Sequence, residues 1–222
     1  MGRVSGAKNR DYVVRRTGLL ARTRERLSAQ QGDVPSFRQL AASAGVSVAT
    51  LRHYFPDRES LIKALFAQAL LGAAVHLQRA RSAEKAEDLQ SALEDFLRRV
   101  VTGWTTGNVG ALHRIGLAEG LRNPRTGLDY LTDVLEPTLQ ALEARLQIYI
   151  ERGAMVAADT RHAALMLLSP LVLALLHQHD LGGTRCRPLS IAALIPEHVT
   201  VFLRAYRPAP AGTELAPVKN LQ

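Results

Sequence analysis

Between Ser36 and Ser60 the sequence reads SFRQLAASAGVSVATLRHYFPDRES, and few folds admit that string. Ser36 sits where a helix begins, with a hydroxyl able to accept one of the amide hydrogens that every helix N-terminus leaves unpaired. Leu40, Ala41 and Ala44 share one face at helical spacing. Gly45 follows where this helix must stop, because glycine takes a left-handed backbone without Cβ strain. Ser47 then caps a second helix, whose inward face Leu51 and Tyr54 continue. That helix is only about two turns long and cannot persist alone, so its neighbours must hold it. Ala41, four residues before the glycine, lets the two helices approach closely, and Leu51, six after it, anchors the second. This is the spacing of a helix-turn-helix. Val48, Ala49, Thr50 and Arg52 are left on the outer face, free to enter a DNA major groove.

An alanine and a glycine at this spacing would suit any helical hairpin, but the longer string LAASAGVSVATLRHYFPDRESLI is more specific. It resembles the DNA-binding domain of the tetracycline-repressor (TetR) family of transcriptional regulators. Leu40, Ala41, Ala44, Gly45, Val46, Ser47, Thr50, Leu51, Phe55, Glu59 and Leu61 match the family pattern. Ala49 stands where the family has a second glycine, Arg52 where it has tyrosine and Tyr54 where it has histidine. Arg58 replaces a lysine and keeps its charge. The resemblance implies an all-α fold, with an N-terminal three-helix helix-turn-helix domain and a C-terminal helical bundle for ligand binding and dimerisation. It implies a DNA-binding set of Ser36, Arg38, Val48, Ala49, Thr50, Arg52, Tyr54 and Arg58. Within it Arg38, Thr50, Tyr54 and Arg58 meet backbone phosphates, while Val48, Ala49 and Arg52 face base edges. Arg52 either pairs with guanine O6 and N7 or lies along a phosphate, as the family tyrosine does. Asp57 caps the next helix, and Arg58 in its first turn opposes the helix dipole. A phosphate bound there would satisfy both the dipole and the arginine.

Charge agrees with that reading. Residues 1–60 hold 11 Lys and Arg against 5 Asp and Glu, whereas the remaining residues hold 17 against 15. A basic N-terminal part joined to a near-neutral one is the electrostatic footprint of a nucleic-acid reader fused to something else. A hydrophobic content of 47% can fill a sizeable core, and with aromatics at only 5% that core is rich in Leu and Ala, which favour helices over strands. The single cysteine, Cys186, excludes disulfides within the chain and offers no zinc framework. The N-terminus lacks the apolar run of a signal peptide. The most apolar stretch, Ala163 to Leu176, is shorter than the ~20 residues of a membrane span and is interrupted by Ser169-Pro170. The expectation is a cytoplasmic protein with no membrane partner.

Residues 1–10 are expected to form a flexible basic arm, whose Arg3, Lys8 and Arg10 either reach DNA or belong to a plain disordered terminus. Residues 11–60 form the helix-turn-helix domain, opening with a helix from about Tyr12 to Gln30 that Gly32 ends. Val13, Leu19, Leu20, Thr23 and Leu27 make its apolar stripe. Residues 61–206 form the second domain. Its helices are expected near Leu61 to Arg81, Glu87 to Thr105, Ala111 to Leu121, Gly127 to Arg152, Asp159 to His179 and Leu189 to Tyr206. Pro137 should kink or split the fourth of these. Residues 207–222, rich in proline, are expected to be disordered.

The helix from Arg161 to Gln178 is apolar nearly all round and must be covered on several sides. A second copy of the chain does this economically, by pairing helices into a four-helix bundle. In the family the last two helices dimerise, and here they are those around Leu165–Leu176 and Ile191–Leu203. If the family pattern holds, the middle helices enclose an inducer cavity with Trp104, His113, Leu117, Tyr130, Met166 and His177 as wall candidates, although each is also a plausible core residue. Such a wall suits an apolar or aromatic small molecule. No cofactor is expected. The seven histidines are scattered, and no His-Glu-x-x-His, phosphate-binding glycine loop or Gly-x-Ser-x-Gly elbow occurs. His177 and His179 fall on different helical faces and share no metal. The expected function is a homodimeric, ligand-responsive regulator, a repressor released from a palindromic operator by a small molecule. The alternatives are a constitutive or activating DNA-binding dimer without an inducer and, more remotely, a helical enzyme.

Overall fold

The computed structural model describes residues 5–28, 35–82 and 88–208. Among these the secondary structure is helical throughout. The helices are α1 (Ser5–Ser28), α2 (Phe37–Ser43), α3 (Val48–Tyr54), α4 (Arg58–Arg81), α5 (Leu89–Thr105), α6 (Val109–Gly120), α7 (Pro124–Tyr130), α8 (Glu136–Glu151), α9 (Thr160–Leu175), α10 (Gly183–Cys186) and α11 (Ile191–Tyr206). Residues Arg3 and Gly32, the polar stretch 83–87 and the tail beyond 208 lie outside the described residues.

The described residues form two compact units, one within 1–79 and 100–138 and one within 80–99 and 139–208. Neither edge falls at the 60/61 boundary expected from the sequence, because α6 and α7 pack with the N-terminal helices. In the first unit Leu19, Leu20 and Leu27 of α1 meet Leu40, Ala41 and Ala44 of α2, Leu51 of α3, and Leu61, Ile62, Leu65 and Phe66 of α4, with Leu112, Ile115 and Tyr130 completing the core. Thr23 belongs to this buried stripe and returns its hydroxyl to the carbonyls of Leu19 and Leu20, at 2.9 and 3.0 Å. Val13, placed on the same stripe by its spacing, is exposed instead. α1 also starts at Ser5 rather than Tyr12, so residues 5–10 continue the helix where an arm was expected.

The helix expected from Gly127 to Arg152 is present and begins earlier, at Pro124, where Asn123 Oδ1 accepts from the Arg125 amide at 2.9 Å. It does not split at Pro137. A π turn over Leu131–Leu135 joins α7 to α8 just before that proline, whose missing N–H removes one helical hydrogen bond. Gly153, at φ +69°, ends α8.

In the second unit α9 carries Pro170 inside it and runs on through a second π turn, Leu176–Asp180. Asp159 caps α9 by accepting from the His162 amide at 3.0 Å. α9 and α11 pack together, with a 2.9 Å contact between His198 Nε2 and the Leu167 carbonyl oxygen. Because Pro170 is accommodated within it, the segment Thr160–Asp180 reaches 21 residues, and like Arg58–Arg81 it is long and apolar enough to cross a membrane by length and composition. This is longer than the stretch Ala163 to Leu176 read from the sequence, and core helices of soluble proteins meet the same criterion.

Candidate functional site

Two caps and a glycine shape the helix-turn-helix. At α2 the Ser36 amide donates to Gln39 Oε1 at 2.7 Å, while the Gln39 amide donates to Ser36 Oγ at 3.3 Å, a reciprocal capping box. Gly45 turns the chain at φ +70°, and the Val46 amide donates back to the Ala41 carbonyl at 3.0 Å. Ser47 Oγ then receives the Thr50 amide at 3.0 Å and lies 2.9 Å from the Thr50 hydroxyl. Leu51 is completely buried and pins α3 to the core. With that residue inward, Ala49, Thr50, Arg52 and His53 face outward and are exposed.

The expected DNA-contacting residues divide into three groups. Ser36, Arg38, Ala49, Thr50 and Arg52 are exposed on this surface, and no ion pair holds Arg38 or Arg52 among the described residues. Val48 and Tyr54 are only partly exposed, since both also pack against the core. Arg58 departs from expectation. Its guanidinium turns inward, with Nε donating to Glu119 Oε2 at 3.0 Å, Nη2 to Glu119 Oε1, and Nη1 to the Pro35 carbonyl. In this form it is a buried-side anchor between α4 and α6 rather than an open phosphate ligand.

Tyr12 is a further residue at this surface, not singled out from the sequence as functional. Its ring stacks on Tyr54 at 4.8 Å between centroids and 29° between planes, with His53 edge-on to both. Arg16, one turn on, lies over the Phe55 ring at 4.8 Å. α1 thus braces the end of the outward-facing helix through rings. The signal was slight: one aromatic residue at the head of an arginine-rich helix.

The expected ligand-wall residues also separate. Trp104, His113 and Tyr130 come together in the first unit. The Trp104 and His113 rings stack at 4.7 Å and 18°, and His113 Nδ1 lies 2.6 Å from the Tyr130 hydroxyl. Two glycines of α6 make this possible: a Cβ on Gly110 would come within 2.8 Å of the Trp104 indole, and one on Gly116 would overlap the Tyr130 ring. Burial pushes His113 down from 6.5 to about 4 and Tyr130 up from 10.0 to about 12, so both are neutral near pH 7. The buried Trp104 Nε1–H finds no acceptor among the described residues. Leu117 is half-buried against the core nearby.

Met166 and His177 belong to the other unit. Met166 is 58% exposed, with the Tyr206 hydroxyl donating to its sulfur at 3.4 Å. His177 Nδ1 sits 2.7 Å from Gln178 Nε2, packed over Gly183. Trp104, His113, Leu117 and Tyr130 thus lie in one unit and Met166 and His177 in the other. Two open clefts, of about 480 and 400 Å³, lie elsewhere. The first is lined by residues such as Asp88, Tyr149, Arg152 and Arg207, and the second by Arg58, Glu59, Glu119, Arg122 and Asn123. None of the six lines either cleft, and the rings of Trp104, His113 and Tyr130 pack against one another.

An all-α molecule with a capped helix-turn-helix in a basic N-terminal segment, joined to a larger helical body, defines a DNA-binding regulator. The model of tetR-family bacterial regulatory proteins matches residues 20–65, and that of the AefR-like transcriptional repressor C-terminal domain matches residues 91–208, more than half of the chain. The chain belongs to the TetR family of transcriptional regulators, whose members are transcription factors rather than enzymes.

Solved structures agree on the fold. A TetR-family transcriptional regulator from Mesorhizobium loti superposes with a TM-score of 0.67 at 20% identity, covering 88% of this chain and 98% of that one. The flavonoid-responsive regulator FrrA gives 0.60 at 25% identity, covering 88% and 98%. SmeT of Stenotrophomonas maltophilia, in its triclosan complex, gives 0.65 at 16% identity, covering 93% and 100%. No curated protein matches the sequence.

Proposed function

We propose that the chain is a cytoplasmic, homodimeric transcriptional repressor that binds a palindromic operator and leaves it when an apolar or aromatic small molecule binds. The single observation that carries the DNA-reading part is α3 itself, a seven-residue helix fixed from behind by the wholly buried Leu51 and presenting Ala49, Thr50 and Arg52 outward. Residues 11–60 read DNA and residues 61–206 bind ligand and pair. Ser36 belongs to the DNA-binding surface, Arg38, Thr50, Tyr54 and Arg58 serve the phosphate backbone, and Val48, Ala49 and Arg52 serve base edges.

Dimerisation is supported by the outer faces of α9 and α11, where Met166, Leu173 and Val201 are each more than half exposed in the single chain. A second copy placed there would bury them. It would also present two recognition helices to successive grooves, about 34 Å apart on one side of the duplex. Ligand binding is supported by the Trp104–His113–Tyr130 cluster, which is aromatic, neutral and holds a buried indole N–H in want of an acceptor. FrrA is flavonoid-responsive and SmeT forms a triclosan complex, both with aromatic molecules. Release requires a ligand that binds the DNA-ready and DNA-incompetent forms unequally, and the body of α4 is the lever that transmits this to the recognition helices.

A second reading, a constitutive or activating dimer without an inducer, is favoured by one observation: the three rings close on each other rather than line a cleft. A gel shift on DNA flanking the chain's own gene, repeated with a library of metabolites and drugs, tests both. A specific complex dissolved by an aromatic compound supports the first reading, and a complex that no compound disturbs supports the second. A purified protein that is monomeric and binds no duplex at low ionic strength refutes both.

A further inference from the structure

Arg58 and Glu119 are each placed where their own helix disfavours them. A cation in the first turn of α4 faces the positive end of that helix dipole, and an anion in the last turn of α6 faces the negative end of the other. The pair removes both penalties at once, with two hydrogen bonds joining guanidinium and carboxylate. The side chains remain 24% and 12% exposed and line the 400 Å³ cleft, so the pair is open to exchange rather than sealed in a core. Arg122 lines the same cleft and is exposed. Two further polar contacts hold α4 to the α6–α7 corner without Arg58: Asn123 donates to Glu59 at 3.0 Å, and Lys63 pairs with Asp129 at 3.0 Å.

A DNA phosphate offers Arg58 the same geometry as a carboxylate, with planar guanidinium donors meeting two anionic oxygens. We infer that Glu119 is an internal competitor for DNA: it occupies Arg58 in the DNA-free protein and yields it to a backbone phosphate on docking. The freed carboxylate then turns to Arg122, while the Glu59–Asn123 and Lys63–Asp129 contacts keep the helices together. Glu119 is thus a positioning residue that sets DNA affinity from α6 without touching DNA. The inference rests on the reading that the start of α4 meets a phosphate.

Phosphate contacts act on any sequence, so the test needs no operator. Binding of a fluorescent mixed-sequence duplex is measured by anisotropy at several salt concentrations for the parent, Glu119→Gln, Arg58→Ala and the double variant. A partly solvated ion pair is a modest lock, so Glu119→Gln should bind about three- to tenfold more tightly. Arg58→Ala should bind more weakly, and its log–log salt slope should fall by about 0.9 per chain. The double variant should match Arg58→Ala alone. A Glu119→Gln protein that binds like the parent overturns the inference. A gain that survives in the Arg58→Ala background does so too, since it then reflects general loss of negative charge. An Arg58→Ala protein with unchanged affinity and slope refutes the underlying phosphate reading itself. Should Glu119→Gln not fold by circular dichroism, Glu119→Asp keeps the charge with a shorter reach. It should show a smaller rise of the same sign, and parent-like binding would again overturn the inference.

Discussion

Gly116→Ala is the substitution whose sign the structure decides against ordinary helix chemistry. Inside a helix, alanine is favoured over glycine by about 1 kcal/mol, and Gly116 lies mid-helix in α6 with no positive φ. Yet a Cβ there would overlap the Tyr130 ring, which is 7% exposed and wedged between Phe66 and His113. Forcing a packed ring aside costs about 1–3 kcal/mol. Moving Tyr130 also breaks its bond to His113 and leaves buried polar groups unsatisfied, another 1–3 kcal/mol or so. After subtracting the propensity gain, the net loss should be about 1–5 kcal/mol. Gly72→Ala is the matched control: Gly72 is exposed in α4, and nothing lies within 4 Å of its Cβ position, so only the propensity gain of up to about 1 kcal/mol applies. Urea unfolding of parent and both variants at one protein concentration measures the difference. Trp104, the single tryptophan, reports on the cluster directly because it stacks on His113. A Gly116→Ala protein as stable as Gly72→Ala, with unchanged tryptophan fluorescence, would refute the packing argument.

Burial holds His113 neutral, with its pKa taken from 6.5 to about 4. The unfolded chain therefore binds a proton more readily than the folded one, and stability is lost as pH falls from about 6.5 to about 4, by at most about 3 kcal/mol. Subtracting the stability–pH curve of His113→Gln from that of the parent should isolate this slope, and parallel curves would contradict it. Ser47→Ala removes the cap of α3 and should cost about 1 kcal/mol in unfolding experiments. Arg52→Ala should relax selectivity at one base pair per half-site, worth about 1–3 kcal/mol, in a binding-site selection experiment. Uniform weakening across all sequences would instead assign Arg52 to a phosphate.

Much of the fold was legible because it is built from local chemistry. The Ser36, Ser47 and Asp57 caps and the left-handed Gly45 all act within a few residues of themselves. Spacing also named the buried residues Leu40, Ala41 and Ala44 behind the turn and Leu51 of α3. Where long-range packing decided, spacing failed: Val13 shares the period of Leu20 and Leu27 yet is 55% exposed. Pro137 announced a disturbance, but the sequence pattern does not say whether a helix will break or absorb a proline as a π turn. The unit boundary was hidden for a similar reason, since the packing of α6 and α7 beside α4 joins residues some sixty positions apart.

The site was legible only where one helix face settles it. Ala49, Thr50 and Arg52 must face outward once Leu51 faces inward, because three residues on a two-turn helix leave no other choice. Arg58 is the opposite case. From the sequence it is a cation at the wrong end of a helix, and a phosphate was the natural counter-ion; Glu119, 61 residues away, is an equally good one and was invisible. For the ligand-wall candidates, type and helix do not fix depth: Trp104, His113 and Tyr130 are buried, whereas Met166 is 58% exposed. Trp104, His113 and Tyr130 meet because Gly110 and Gly116 let two rings lie directly on the backbone of α6. An aromatic residue is a wall only where the opposite surface stands off, and here small residues brought that surface in. The glycines were therefore the better guide to the cluster. They sit three residues either side of His113, and a ring from α5 and a ring from α7 close over it.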